Sequence, residues 1–249
     1  MEKYKLYDNK IELSFDEVKH RYYVNGKVVQ GVTSILNILG KPALLPWAIN
    51  QAMDVIKSQI TPGHQFDEIE IEETIKEAKM AYKKNSGKAA TIGTKVHEWI
   101  ENFVKKEEVA EVINPEMQSA IDQFMEFGNT YDVKFKASEQ KVYSKEYEYA
   151  GTFDGIIEIN KGNATISPGI YLMDIKTSKG IYPEYWLQLG AYYQAIKEEK
   201  PKTIIDGGAI IKCGKDGTLE VATRTKKELI EDQEAFLSLL KVSKWLKKK

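Results

Sequence analysis

Cysteine is nearly absent from this chain. Cys213 is the one thiol in 249 residues, which excludes an intrachain disulfide framework, a cysteine-based zinc site and a four-thiolate iron–sulfur cluster. A reducing, cytoplasmic-type compartment is the expectation that follows. Neither sign of charge dominates: 36 Lys and Arg stand against 37 Asp and Glu, for a net charge of −1. No global positive field therefore advertises a nucleic-acid partner, and any polyanion site must be a local patch. Long apolar runs are missing too. Met1 to Asp8 carries no hydrophobic leader core, and nowhere do roughly 18 uncharged apolar residues run together, so neither secretion nor membrane insertion is expected. Internal repeats and low-complexity linkers are also lacking. What remains, 42% hydrophobic and 29% charged residues, is the composition of a folded chain long enough for one large α/β domain or two small ones.

The N-terminal residues alternate in polarity through Ile11 to Phe15, His20 to Val24 and Lys27 to Val29, with Asn25-Gly26 between the last two runs. This pattern predicts a β meander with a tight hairpin. Thr33 or Ser34 then offers a cap for a short helix stopping near Gly40, and Pro46-Trp47-Ala48 opens another. Helical periodicity continues to about Tyr131, with Pro62-Gly63 and Asn85-Ser86-Gly87 reading as interhelical loops. Gln65 to Glu73 is acidic and Lys76 to Lys88 basic; solvated helix faces are the ordinary explanation, a basic rim the alternative for the second. From Val133 to Thr177 strands are expected, including Lys141 to Tyr143, Tyr149 to Ile159 and Ile170 to Ile175. A helix over Pro183 to Lys197, strands over Thr203 to Lys212 and Leu219 to Thr223, and a last helix from Lys226 complete a mixed sheet flanked by helices.

Chemistry concentrates in Gly151-Thr152-Phe153-Asp154, Asp174-Ile175-Lys176-Thr177 and the Gln188 to Tyr192 helix segment. Two acids at neighbouring strand ends can share a hard cation, and strand alternation puts Lys176 on the face of Asp174. Two carboxylates and an ammonium suit phosphodiester hydrolysis. Metal ions lower the pKa of bound water, and the ammonium stabilises developing charge. The acid-x-Lys triplet alone is cheap, since about five arise by chance in such a composition. Glu17-Val18-Lys19, Asp132-Val133-Lys134 and Glu139-Gln140-Lys141 are other instances, and a structural ion pair is the ordinary alternative for Asp174 and Lys176. Gly93-Thr94-Lys95-Val96-His97 reads as a helix start with His97 and Glu101 on one face. A single helix histidine is more often structural; beside the acids it becomes a candidate ligand that would admit Mn²⁺ as well as Mg²⁺.

In this order, Gly-Thr-x-x-His, Gly-Thr-Phe-Asp, Asp-Ile-Lys-Thr and Gln-x-x-x-Tyr resemble the PD-(D/E)xK nuclease superfamily. More narrowly they look like its RecB-type branch, which includes phage-encoded exonucleases and the mitochondrial genome maintenance exonuclease. Val32 to Leu36, Lys41 to Leu44 and Trp47 extend the likeness, which covers roughly Gly31 to Ile196. The resemblance implies a restriction-endonuclease-like α/β core, with Asp154, Asp174, the Ile175 carbonyl and His97 as metal ligands and Lys176 as catalytic lysine. Gln188 and Tyr192 would orient the site or contact DNA, and Glu139 and Glu101 would lend support. Phe153 stands where the superfamily's name has proline, and the missing cysteine quartet excludes the iron–sulfur branch.

Tyr182, Tyr185, Trp186, Tyr192 and Tyr193 could stack bases of a single strand, although several could equally pack the helix on the sheet, Trp186 above all. Thr177, Ser178 and Lys179 are the candidate phosphate contacts, and the Lys244 to Lys249 tail a further one or a frayed end. The resulting expectation has a region 1–131 of β meander and helical cover that contributes His97, and a nuclease core 132–249, together one unit. Its activity would be Mg²⁺- or Mn²⁺-dependent hydrolysis of DNA with one or two ions, exonucleolytic on single-stranded or frayed ends, in phage-type recombination, replication or repair. A catalytically inactive nucleic-acid-binding module, an endonuclease and a small phosphate-ester hydrolase are the alternatives. The expected setting is the cytoplasm, a host's if the protein is phage-encoded, without a membrane partner.

Overall fold

The computed structural model describes residues 1–248. They divide into two compact units, residues 1–38 with 96 onward, and residues 39–95. The strands are β1 (Glu2–Leu6), β2 (Ile11–Asp16), β3 (Arg21–Val24), β4 (Lys27–Gly31), β5 (Val133–Ser144), β6 (Tyr149–Ile159), β7 (Gly169–Lys176), β8 (Gly207–Cys213) and β9 (Leu219–Thr225). The helices are α1 (Val32–Leu36), α2 (Leu44–Gln59), α3 (Glu68–Lys105), α4 (Pro115–Tyr131), α5 (Pro183–Glu199) and α6 (Lys226–Leu246). Among the described residues no single helix is long and apolar enough to cross a membrane.

In the first unit all nine strands join one mixed sheet. β1 to β4 form the antiparallel meander, its last turn made by left-handed Asn25 (φ 47°) and Gly26 (φ 78°). β1 lies outside the alternation read from sequence because only Leu6 of its residues is buried. Strand β6 is the pivot. β5 pairs antiparallel along it from Ile159 to Tyr149, while its other edge is shared: β4 runs parallel to Tyr149 and Ala150, and β7 antiparallel to Gly155 through Ile159. Gly151 to Asp154 pair with neither β4 nor β7. Beyond Met173, β7 leaves β6 but continues parallel to β8, which pairs antiparallel with β9. Two neighbouring strands thus fork at Asp154 and Asp174.

Helices α5 and α6 pack against each other and against this sheet, with α1 beside them. Leu172, Leu189, Ile210, Leu229 and Phe236 are fully buried between the layers, and the Tyr149 hydroxyl donates to the Ala191 carbonyl at 2.7 Å. Gly190 permits the helix contact: a Cβ there would lie 2.5 Å from the Gln233 backbone nitrogen. Starts are sharply capped. Asn114 accepts the Met117 N–H ahead of Pro115, Pro183 opens α5, and Thr225 and Glu228 form a capping box on α6. At α1, by contrast, Gly31 rather than Thr33 or Ser34 occupies the cap, and no side chain bonds there.

In the second unit α2 and the first part of α3 exchange side-chain hydrogen bonds, Gln59 to Glu77 and Asn85 to Gln51. Pro62-Gly63 falls between the helices as expected. Asn85-Ser86-Gly87 does not: it lies inside α3, where Ser86 Oγ bonds the Lys83 carbonyl and Thr91 Oγ1 the Gly87 carbonyl. The helix continues through a glycine that costs it only about 1 kcal/mol. Gly93 is accordingly deep within α3 and not at a helix start. The boundary expected at 131/132 is also displaced, because β4 pairs with β6 and α4 packs on β5, β8 and β9, making both part of the sheet unit. α4 is therefore a core helix and not a cover.

Candidate metal centre

At the fork, Asp154 is the last β6 residue before the β7 pairing begins. Its Oδ2 accepts the Ile175 N–H at 2.7 Å, so the carboxylate takes over a backbone donor where the ladder to β6 has ended. Across β5, Glu139 stands opposite this point, between the paired residues Ser138 and Gln140. Its φ of 47° is left-handed in mid-strand, a conformation costing a non-glycine residue about 1–2 kcal/mol. Such strain persists where surrounding structure imposes it, and functional sites are its usual location. The last turns of α3 bring His97, whose Nδ1 lies 3.5 Å from Asp154 Oδ2 and 3.9 Å from Glu139 Oε1.

One ligand atom each from His97, Glu139 and Asp154 lies within 4.8 Å of the others. Ligands bound at about 2.1 Å to one octahedral ion sit roughly 3–4 Å apart, so this group could hold a divalent cation. The electrostatics agree. Burial alone would lower the His97 pKa, but Asp154 and Glu139 outweigh it and push it up to about 9. Burial raises the Asp154 pKa, and Glu139 adds to it, against His97, Lys176 and the Ile175 N–H. Crowded negative charge raises both pKa values, and a cation would compete with protons for these ligands.

Asp174 adds a second acid. It is 1% exposed, and neither carboxylate oxygen has an oriented hydrogen-bond donor. Lys176 Nζ approaches Oδ2 at 2.5 Å, an ion-pair distance without hydrogen-bond geometry. Burial lifts the Asp174 pKa to about 6. Such a desolvated, under-coordinated carboxylate fits a cation and is costly without positive charge nearby. Lys176 itself remains an ammonium: burial opposes this, but Asp174 and Asp154 raise its pKa. Its Nζ donates to Gln188 Oε1 at 3.1 Å, Gln188 Nε2 donates to the Tyr192 hydroxyl at 2.9 Å, and the Tyr185 ring lies 4.7 Å from Nζ. Room for Tyr192 comes from Gly151, where a Cβ would meet the ring at 2.5 Å.

The structure thus brings together His97, Asp154, Asp174, Lys176, Gln188 and Tyr192. Ile175 takes part through its N–H. Glu139, given only a supporting place from sequence and lying in a triplet that composition alone explains, is one of the three clustered ligands. Its signal was tertiary: no pattern in Glu139-Gln140-Lys141 announces a left-handed residue facing Asp154. Glu101 is elsewhere, paired with Lys105 one turn along α3. Ser178 Oγ bonds the Gly180 carbonyl, shaping the turn after β7, while Thr177 is half-buried and Lys179 exposed on that turn. Trp186 is not open to a nucleic-acid base: it is buried in the core with the Arg224 guanidinium 4.6 Å from its ring centre, because its position on α5 points at the sheet. Phe15 and Tyr22 of the meander, read from sequence only as strand residues, line a cavity of about 270 Å³ with Glu139, Gln188 and Tyr192.

No family model matches the chain, and no curated protein matches it. Among solved structures, one described as the crystal structure of SSO0001 is 12% identical, with 79% of this chain and 86% of that one covered and a TM-score of 0.30. A likeness at that level carries no argument about fold or function.

Proposed function

We propose that the fork of β6 and β7 is the centre of a metal-dependent deoxyribonuclease, an exonuclease acting on single-stranded or frayed DNA ends, within a restriction-endonuclease-like core. The observation that carries this reading is the convergence of the His97, Glu139 and Asp154 ligand atoms beside a buried Asp174 without oriented donors and a buried ammonium. The donor set fits a hard or borderline divalent cation, Mg²⁺ or Mn²⁺, with the imidazole favouring tolerance of Mn²⁺. His97, Glu139 and Asp154 would hold it, with Asp174 and the Ile175 carbonyl as the further ligands that the sequence resemblance implies. When bound, such an ion supplies water of lowered pKa and neutralises charge on phosphate oxygens.

With Asp174 and Asp154 raising its pKa, Lys176 is an ammonium in the metal-free protein, and its part would be to stabilise the negative charge that grows on the phosphate. Gln188 fixes the direction of Nζ, and Tyr192 fixes Gln188 in turn. Tyr185 walls the ammonium from water on one side. Asp154 is oriented by the Ile175 N–H, so its carboxylate meets the substrate already positioned.

The test is degradation of end-labelled single-stranded DNA with Mg²⁺ or Mn²⁺, wild type beside Lys176→Ala. Metal-dependent shortening by the wild type that the variant loses is the expected result. Intact ends in both metals, from folded wild-type protein, would overturn the exonuclease and favour a binding module of the same fold.

A further inference from the structure

A second feature of the sheet unit opens beside the last turns of α3. A groove of about 890 Å³ lies between the end of α3, α4 and the start of β5. Its floor is aromatic: Phe103 and Phe124 meet edge to face at 6.4 Å, and Phe124 meets Phe135 at 6.1 Å. Phe103 is 41% exposed although Trp99 stacks on it with planes 10° apart. Packing accounts for Phe124, which is buried between α4 and its surroundings. It does not account for an exposed ring stacked on Trp99 at the mouth of a groove. The rim is basic. Lys106, Lys134 and Lys161 line it and make no ion pair among the described residues, whereas Lys136 is taken by Glu158. Asp132 is the one acid lining the groove.

Aromatic rings that accept bases, inside a line of ammonium groups that track phosphates, are the two elements of single-strand binding. A peptide groove would not need the lysines, and a duplex could not present its bases to Phe103. His97 of the metal centre and Phe103 lie six residues apart on α3, about 9 Å along its axis and roughly 120° around it. We infer that this groove is the track for a single DNA strand, with Phe103 as its stacking platform and Lys106, Lys134 and Lys161 as its phosphate contacts. The inference rests on the nuclease reading for the strand's destination, and the strand-binding itself is testable without hydrolysis.

The experiment is fluorescence anisotropy of labelled oligo(dT) without divalent metal, over a range of salt, on wild type, Phe103→Ala and a Lys106→Glu/Lys134→Glu/Lys161→Glu variant, with melting curves confirming that each is folded. Phe103→Ala should weaken binding about tenfold, the worth of one stacked base. The lysine variant should weaken it further and flatten the salt dependence by roughly two units of slope. Equal affinity in all three proteins, no binding by the wild type, or tighter binding of duplex or oligo(U) than of oligo(dT) would overturn the inference. Its failure is separable from that of the nuclease. Groove-dependent binding without metal-dependent cleavage keeps the groove and sinks the nuclease; cleavage with groove-independent binding does the reverse.

Discussion

Gly169 to Met173 of β7 pair with β6 on one side, and from Tyr171 also with β8 on the other, whereas Asp174, Ile175 and Lys176 pair with β8 alone. In the enclosed stretch the side chains are apolar, Leu172 and Met173 have no exposure, and the backbone is satisfied by the ladders. In the open stretch an acid is buried without oriented donors, and a backbone N–H turns to the carboxylate of Asp154. The contrast shows how one strand serves two ends. Apolar packing lies where the ladders enclose the strand, and charge lies where one edge is released. Glu139 shows the same contrast on β5, where a residue in strained conformation sits opposite the fork, in a strand that also carries a bulge between Phe135 and Ala137.

Changes on the two sides should separate activity from stability. The largest effect is expected in the open stretch: Lys176→Ala should lower the rate of DNA hydrolysis about 10²–10³-fold at temperatures where the variant, destabilised by the buried Asp174 it leaves unpaired, is still folded. In the enclosed stretch, Leu172→Ala should cost about 2–5 kcal/mol in urea unfolding, while the protein that remains folded cleaves at close to the wild-type rate. A fall in intrinsic rate with little loss of stability would erase the distinction. Glu139→Gly sharpens it, since relief of the left-handed strain should stabilise the metal-free protein by about 1 kcal/mol while Mn²⁺ binding weakens. Loss of stability there would mean that the conformation is not strained. The smallest effect is far from both regions. Thr225→Ala removes the capping hydroxyl of α6 and should cost about 1 kcal/mol without altering cleavage. Its pH dependence has a definite sign. The Thr225 side chain and backbone hold the Glu228 pKa below 4.5, so this contribution is present above 4.5 and lost as pH falls through the lowered value. The gap between variant and wild type should narrow in acid.

Strands with alternating or uniformly apolar patterns were legible, and β6, β7 and β9 begin and end within a few residues of the expected bounds. The juxtaposition of Asp154, Asp174 and Lys176 was legible as well, because acids and a lysine interrupt apolar runs, although Asp154 falls in mid-strand and not at the expected strand end; Gln188 and Tyr192 joined them only through the family resemblance. Features set by tertiary contact were not. The single helix through Asn85, Ser86 and Gly87 contradicts local turn chemistry, and β1 has too little buried surface to show a period. Glu139 is distinguished only by its backbone conformation and by what faces it. Trp186 reads as a possible stacking surface until the sheet that covers it is known, while Phe103, six residues beyond His97 on the same helix, carries no local mark of the groove it opens into.

The central claim, that the fork holds a divalent cation, is tested most directly by titrating Mn²⁺ into wild type and Asp154→Asn and following the free-ion electron paramagnetic resonance signal. The account predicts saturable binding of one or two ions by the wild type, weakened about tenfold or more in the variant. Equal binding by the two proteins, or none by the wild type, would contradict it and leave His97, Glu139 and Asp154 as a structural ion-pair cluster.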